Sequence, residues 1–168
     1  MGFGKTFLLC LITYVGATFG GWVLVLALNG FISSFGTALT SLPTIAEAFF
    51  GPFAATPYPG DSYSGLAGAI LSLSISDIVK FAFYIGAPLL AAIIAGIVGE
   101  KKAEVFGAWL LVISISMGVV LTLNLITYLI IYGGGLSVTE IINIVLGAVA
   151  HAFLYGCIAL LVSKSESF

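Results

Sequence analysis

Arginine is absent from this chain of 168 residues, and its five basic side chains are all lysines. The chain therefore lacks the guanidinium fork, the group best suited to bidentate recognition of phosphate or carboxylate. Charged side chains make up only 7% of the sequence, against about 25% in soluble domains. The formal net charge of −2 is too small to indicate a nucleic-acid partner. These shortages exclude an ordinary soluble domain, and no binding to nucleic acid is expected.

Cysteine and histidine are nearly absent as well. Cys10 and Cys157 stand alone in apolar segments without a CxxC pair, and we expect both to be buried thiols. The single histidine, His151, has no Cys, His or carboxylate neighbours at the spacing of metal ligands. No serine is placed beside a base, and no pair of carboxylates has catalytic spacing. The sequence therefore predicts no cofactor, no metal and no catalytic residue, which favours a protein that is not an enzyme.

Apolar residues, in contrast, account for 61% of the chain. The clearest apolar run extends from Phe81 to Val98 without a charge; as a helix it would measure about 27 Å, close to the hydrocarbon thickness of a bilayer. Three similar runs accompany it. We predict an all-α integral membrane protein with a single membrane domain, 1–168, in which four transmembrane helices form a bundle. The predicted spans are 6–28, 77–99, 105–132 and 138–162.

The segment 29–73, between the first two spans, has a different composition. Residues 31–50 contain many Ser, Thr and Gly residues together with Pro43 and one carboxylate, Glu47. This stretch is too polar for a clear fifth span and too apolar for an ordinary loop. An interfacial or re-entrant helix is expected, with a fifth span left open. The proline-rich residues 51–60 then indicate a turn.

The lysines indicate the orientation. If the N-terminus is cytoplasmic, Lys5, Lys101, Lys102 and Lys164 all lie on the cytoplasmic side, and only Lys80 lies near the outer boundary. The positive-inside rule favours this arrangement over its inverse. We therefore predict a multi-pass protein of the cell membrane with both termini in the cytoplasm and an extracytoplasmic segment between the first two spans.

Small residues recur at four-residue spacing on all four predicted spans. Such strips allow two helix backbones to approach closely within lipid. The positions predicted to pack against other helices are Gly16, Gly20, Ala91, Ala95, Gly118, Ala148, Ala152 and Gly156. They indicate either a tight bundle or a bundle in which a spare strip receives a helix from another integral membrane subunit or from a copy of the same chain.

A few polar side chains are predicted to lie within the lipid or at its edge. The candidate intramembrane polar site consists of Asn124, Asn143, His151 and Tyr155. The histidine could relay protons or bind a quinone or haem; alternatively, it is a neutral imidazole bonded to Asn124 or to a helix carbonyl. Asp77 and Lys80 are three residues apart and are a candidate ion pair at the membrane interface.

Three functions are compatible with this pattern. The favoured one is a small non-catalytic subunit of a larger membrane complex, which packs through its small-residue helix faces. The alternative is a transporter or channel active as a homo-oligomer, with a pore lined by Thr122, Asn124, Asn143 and His151. A second alternative is a quinone-handling or redox protein that uses His151 and Tyr155. The chain shows no internal repeat, which weighs against a self-contained inverted-repeat transporter.

Overall fold

The computed structural model describes residues 2–55 and 58–163, with Tyr132 described by its backbone alone. The predictions that concern Lys164 and residues 56–57 of the proline-rich turn lie outside these residues. Within the described part of the chain, all regular structure is helical. The predicted all-α class is therefore confirmed for the described residues.

Four helices are long and apolar enough to cross a membrane. Their bounds lie within one helical turn of the four predicted spans, and the predicted number of long apolar helices is confirmed. In chain order they are α1 (Phe3–Leu28), α5 (Ile75–Val98), α6 (Lys102–Thr127) and α7 (Val138–Val162). A π-helical turn, Tyr128–Tyr132, extends α6 and stops at Gly133, whose φ of 65° is left-handed and suits glycine.

Three further helices lie between α1 and α5: α2 (Phe35–Ala38), α3 (Leu42–Ala55) and α4 (Pro59–Leu71). A short 3-10 turn, Ile32–Ser34, precedes them. With 14 residues, α3 would extend only about 21 Å, which is too short to cross the hydrocarbon core. It is also broken at Phe50, which has non-helical dihedral angles of −134° and 29°. Among the described residues of this segment, no helix is therefore long enough to be a fifth span.

The long helices run alternately up and down, so that the bundle has two distinct ends. At one end, the ring of Phe3 at the start of α1 lies beside Gly107 near the start of α6. This end carries Lys5 and the turn with Lys101 and Lys102, and we call it the lysine end. At the other end, the loop end, α1 finishes and α5 begins.

Contacts towards the loop end join α1 to α5 and α6 to α7. Gly21 in the last third of α1 lies against the ring of Phe83 in the first half of α5. A side-chain hydrogen bond between the Tyr128 hydroxyl and the Glu140 carboxylate connects the end of α6 to the beginning of α7. The loop end therefore holds a polar contact between Tyr128 and Glu140.

Small residues form the contact between α5 and α7. The carbonyl oxygen of Ala159 lies so close to Gly96 that a Cβ atom placed there would approach it to 2.5 Å. Five of the small residues predicted to pack are buried in the bundle: Ala91, Ala95, Ala148, Ala152 and Gly156. The alanines at these positions let helix backbones approach closely, and Gly156 leaves room for the ring of Phe106 in α6.

The other three predicted positions, Gly16, Gly20 and Gly118, face outward instead. All three are exposed, and no heavy atom of another element lies within 4 Å of where their Cβ atoms would be. The alternative that such a strip receives a helix from another subunit or from a second copy stays a prediction; within this chain, the three positions do not pack against another helix. The reason is that α1 turns a different four-residue strip inward, one with side chains large enough to fill the core: Thr6, Cys10, Tyr14 and Thr18.

The second half of α3 reaches the centre of the bundle. The ring of Phe53 lies 6.0 Å from that of Tyr14, near the middle of α1, and 4.6 Å from that of His151, near the middle of α7. Phe53 is 2% exposed. The break at Phe50 allows α3 to change direction before it meets the core.

The two cysteines differ in burial. Cys10 is fully buried among the core residues of α1, whereas Cys157 is exposed on α7. The prediction that both are buried is therefore wrong for Cys157. Cys157 lies on the outer face of α7, whereas Gly156 and Ala159 lie on the buried face of the same helix.

Candidate functional site

A lysine, a glutamate and a tyrosine meet near the loop end of the bundle. The Lys80 ammonium in α5 lies 2.6 Å from Oε1 of Glu47 in α3. The Tyr84 hydroxyl, one turn further along α5, donates a hydrogen bond of 2.8 Å to the same oxygen. The ammonium also lies 5.6 Å from the centroid of the Tyr84 ring, within the range of a cation–π contact. Two helices therefore build one charged cluster.

This arrangement differs from the predicted pair of Asp77 and Lys80. The Asp77 carboxylate accepts a 2.6 Å hydrogen bond from Ser74, the residue that precedes α5, while Lys80 turns to Glu47. Sequence spacing finds pairs within one helix, but it does not show which other helix supplies a closer partner. The sequence did contain one signal: Glu47 is the only charged residue between Leu42 and Ala55.

The charged cluster opens into a cavity, which we call the Glu47 pocket. Its volume is about 210 Å³. Residues from α1 and α5 form its apolar walls: Trp22, Val25, Leu26 and Phe83. The side chains of Glu47 and Lys80 are each 32% exposed, so both charged groups reach the cavity. The pocket thus combines two opposite charges with an apolar surface.

His151 occupies a different place, the aromatic core of the bundle. Its side chain is fully buried and lies between the rings of Phe53 and Tyr155; the Tyr155 ring is 5.6 Å away and nearly parallel, at 22°. The Trp109 indole N–H donates a 3.4 Å hydrogen bond to the backbone carbonyl of His151. The ring of Trp109 also packs edge-on against Tyr155 at 5.9 Å. These contacts make His151 part of the packing between α3, α6 and α7.

The two predicted asparagines lie closer to the loop end. Asn124 and Asn143 line one cavity together with Tyr128 and Glu140. Asn143 also accepts a 3.2 Å hydrogen bond from the Tyr58 hydroxyl, just before α4. The four residues of the predicted intramembrane site are therefore divided between this cavity and the aromatic core. The grouping failed because Asn143 and His151 are separated by two helical turns along α7.

The predicted pore lining is not assembled within one chain. The Thr122 hydroxyl donates a 2.8 Å hydrogen bond to the carbonyl of Gly118, and both residues face the outside of the bundle. Asn124 and Asn143 line a cavity, and His151 is enclosed by aromatic rings. Within a single copy of this chain, these side chains do not border a common path.

The described residues contain no group of three or more His, Cys, Asp or Glu side chains arranged to hold a metal ion. Comparison with protein-family models, with curated proteins and with solved structures gave no match. The chemistry of the charged cluster therefore has to be inferred from its geometry. Its groups can bind and orient a ligand through charge and hydrogen bonds.

Proposed function

We propose that the protein is a non-catalytic subunit of a larger integral membrane complex, and that a groove between α1 and α6 receives a transmembrane helix of an unlike subunit. The observation that carries this proposal is the outward position of Gly16 and Gly118, with open space above both. Two shallow depressions, one at each glycine, meet at Ile115 and form the α1–α6 groove. Phe50 of α3 borders the depression at Gly16.

The burial of the long helices identifies the same face as the one with room for a partner. In the most apolar part of each helix, 22% of α1 and 28% of α6 is buried, against 39% of α5 and 44% of α7. The two helices that border the groove are therefore the least covered by the rest of the chain. A helix seated there would cover small residues that the bundle leaves exposed.

The groove is chemically suited to another apolar helix. The hydroxyl group of Thr122, which lines it, is already satisfied, because it donates a 2.8 Å hydrogen bond to the carbonyl of Gly118 in its own helix. Among the residues that the structure describes, no charged side chain lines either depression. In lipid, close van der Waals packing at small residues is the main source of helix association, and this surface offers such packing.

The shape of the groove favours an unlike helix over a second copy of the chain. Val15 and Val119 line the depressions next to Gly16 and Gly118, and each carries a side chain where the glycine has none. A two-fold dimer through this face would set one concave surface against another and leave the glycines uncovered. A single convex helix from a different subunit would fill the space.

The distribution of lysines supports an orientation in which the lysine end is cytoplasmic. Within this proposal, α3 enters the membrane from the outer side as a re-entrant segment and does not cross. Single cysteines placed at Ser33 and at Lys101 test the orientation in a Cys10→Ala/Cys157→Ala background. A membrane-impermeant maleimide applied to intact cells should label the cysteine at Ser33 alone; labelling at Lys101 alone contradicts the orientation.

Native mass spectrometry after mild detergent extraction from the source membrane tests the subunit proposal. We expect an unlike membrane protein in fixed stoichiometry. Gly16→Leu and Gly118→Leu should each remove it while the extracted chain stays folded, because the leucine side chain occupies the space the partner helix needs. Gly68→Leu is the matched control, since Gly68 is exposed on α4 with nothing within 4 Å of its Cβ position. A monomer, a closed homo-oligomer, or partner loss in the control variant would contradict the proposal.

A further inference from the structure

We propose that the Glu47 pocket binds a small zwitterion, a molecule with an ammonium group beside an anionic group and an apolar part. This inference concerns the cavity between α1, α3 and α5 and does not depend on the α1–α6 groove.

An ion pair is an expensive feature within a membrane-embedded bundle. Removing two charged groups from water costs several kcal/mol per ion, and an apolar pair of similar volume is often as stable. Ionisable groups in transmembrane segments are therefore most often found where a ligand or an ion binds. Lys80 and Glu47 are not sealed by packing, because each side chain remains 32% exposed and both line the cavity.

Both charged groups keep bonding capacity that the cluster does not use. Oε1 of Glu47 accepts from Lys80 and from Tyr84, and Oε2 has no bond among the described residues. The Lys80 ammonium has three N–H donors, and within the described part of the chain only the bond to Glu47 uses one of them. An acceptor and a donor therefore stand side by side. They match a ligand whose ammonium contacts Oε2 while its anionic group contacts Nζ of Lys80.

The rest of the cavity is apolar and small. Trp22, Val25 and Leu26 present aromatic and aliphatic surface from α1, and Phe83 does so from α5. The Thr18 hydroxyl, which also borders the cavity, already donates a 2.9 Å hydrogen bond to a carbonyl of its own helix. A volume of about 210 Å³ lies below the roughly 300 Å³ at which pockets for drug-sized ligands begin. The cavity thus suits a ligand with a short apolar part.

The position of the pocket makes it accessible to ligands from two sources. Lys80 comes five residues after the start of α5 at Ile75, a distance of about 8 Å along the helix. This depth is reached both by solutes from the aqueous side and by the headgroups of the surrounding lipid. An apolar α-amino acid and the phosphoethanolamine headgroup of a lipid carry the same paired charges, so the chemistry applies to either.

Binding experiments on the full chain in phosphatidylcholine nanodiscs test this proposal, because the choline group has no N–H to donate to Glu47. In the first arm, L-leucine is titrated, and binding is followed by calorimetry and by the fluorescence of Trp22. In the second arm, phosphatidylethanolamine replaces part of the lipid, and its retention by the protein is followed by native mass spectrometry. Binding of leucine identifies a soluble ligand, and selective retention of phosphatidylethanolamine identifies a lipid; either result supports the zwitterion site.

Ligand analogues and variants show whether both charges are needed. Leucine methyl ester lacks the anion and 4-methylpentanoate lacks the ammonium, and each should bind at least tenfold more weakly than leucine. Glu47→Gln and Lys80→Met should weaken binding of the successful ligand at least tenfold. Asp77→Asn is the matched control, since Asp77 lies on the same helix, pairs with Ser74 and does not line the cavity; it should leave the affinity unchanged.

Several outcomes would overturn the proposal. They are the absence of both leucine binding and phosphatidylethanolamine selectivity, equal binding of the singly charged analogues, and equal loss of affinity in Asp77→Asn. If Lys80→Met does not fold, Lys80→Arg keeps the charge at that position and should retain binding. Where leucine is the ligand, the analogue series on the unaltered protein shows without any variant whether both charges are needed.

Discussion

The close contact between α5 and α7 makes a quantitative prediction for Gly96→Ala. The added Cβ would lie 2.5 Å from the carbonyl oxygen of Ala159, 3.2 Å from Cβ of Val162 and 3.3 Å from the backbone nitrogen of Ser163. Two of these atoms belong to the backbone, so no flexible side chain can move aside. The helices must separate along their contact, and overpacking of this kind costs about 1–3 kcal/mol.

A small gain in helix propensity opposes this cost. Replacing a glycine within a helix by alanine is favourable by up to about 1 kcal/mol. After the full propensity gain, we therefore expect the free energy of unfolding to fall by up to about 2 kcal/mol in Gly96→Ala. Gly86→Ala provides the control, because Gly86 lies in the same helix with no heavy atom within 4 Å of its Cβ position. That variant should be as stable as the parent or slightly more stable.

Reversible unfolding by sodium dodecyl sulfate in mixed micelles measures both variants. Unfolding can be followed by the fluorescence of Trp109, whose ring is fully buried next to α7. If Gly96→Ala is no less stable than Gly86→Ala, the two helices are not in contact at this position and the described packing is wrong. A loss of equal size in both variants would also refute the argument, since it would implicate the helix itself and not the contact.

Two further predictions concern the charged cluster and the cysteines. In a double-mutant cycle with Glu47→Gln and Lys80→Met, the losses of unfolding free energy in the two single variants should add up to more than the loss in the double variant. The difference, the coupling free energy, should be about 0.5–3 kcal/mol, because each single change leaves one charge without its partner. Additivity of the two changes would show that the pair at 2.6 Å contributes no coupling. A lipid-permeant maleimide should modify the folded protein at Cys157, which is exposed, and not at Cys10, which is fully buried. Cys157→Ala should abolish labelling and Cys10→Ala should leave it intact; labelling of Cys10 in the folded state would contradict its position in the core.

The four long helices were the part of the structure that the sequence predicted best, because each corresponds to a long apolar run. A run such as that from Phe81 to Val98 has few alternatives, because within a bilayer the backbone must satisfy its own hydrogen bonds and a helix does so locally. The spans therefore followed from composition and length, with no knowledge of neighbouring helices. The structure of segment 31–50 was harder to predict, since its mixed composition is compatible with an interfacial helix, a re-entrant helix or a fifth span.

The small-residue strips illustrate what periodicity leaves undecided. Gly16 and Gly20 have the spacing of a packing face just as Ala91 and Ala95 do, yet the first pair faces outward and the second is buried. The rotation of a helix about its own axis depends on which of its strips its neighbours can fill. In α1 that strip contains Cys10 and Tyr14, which fit against Phe53 and Trp109.

The sequence by itself determined the membrane environment, the four spans and the excess of lysine at one end, because these properties depend on local composition and on helix length. Only the tertiary structure decided that Lys80 pairs with Glu47 and not with Asp77, that His151 lies apart from Asn124 and Asn143, and that Gly118 faces outward. Each of these outcomes joins residues that are distant along the chain. They depend on how the helices are placed and rotated against one another, which residue spacing along a single helix does not specify.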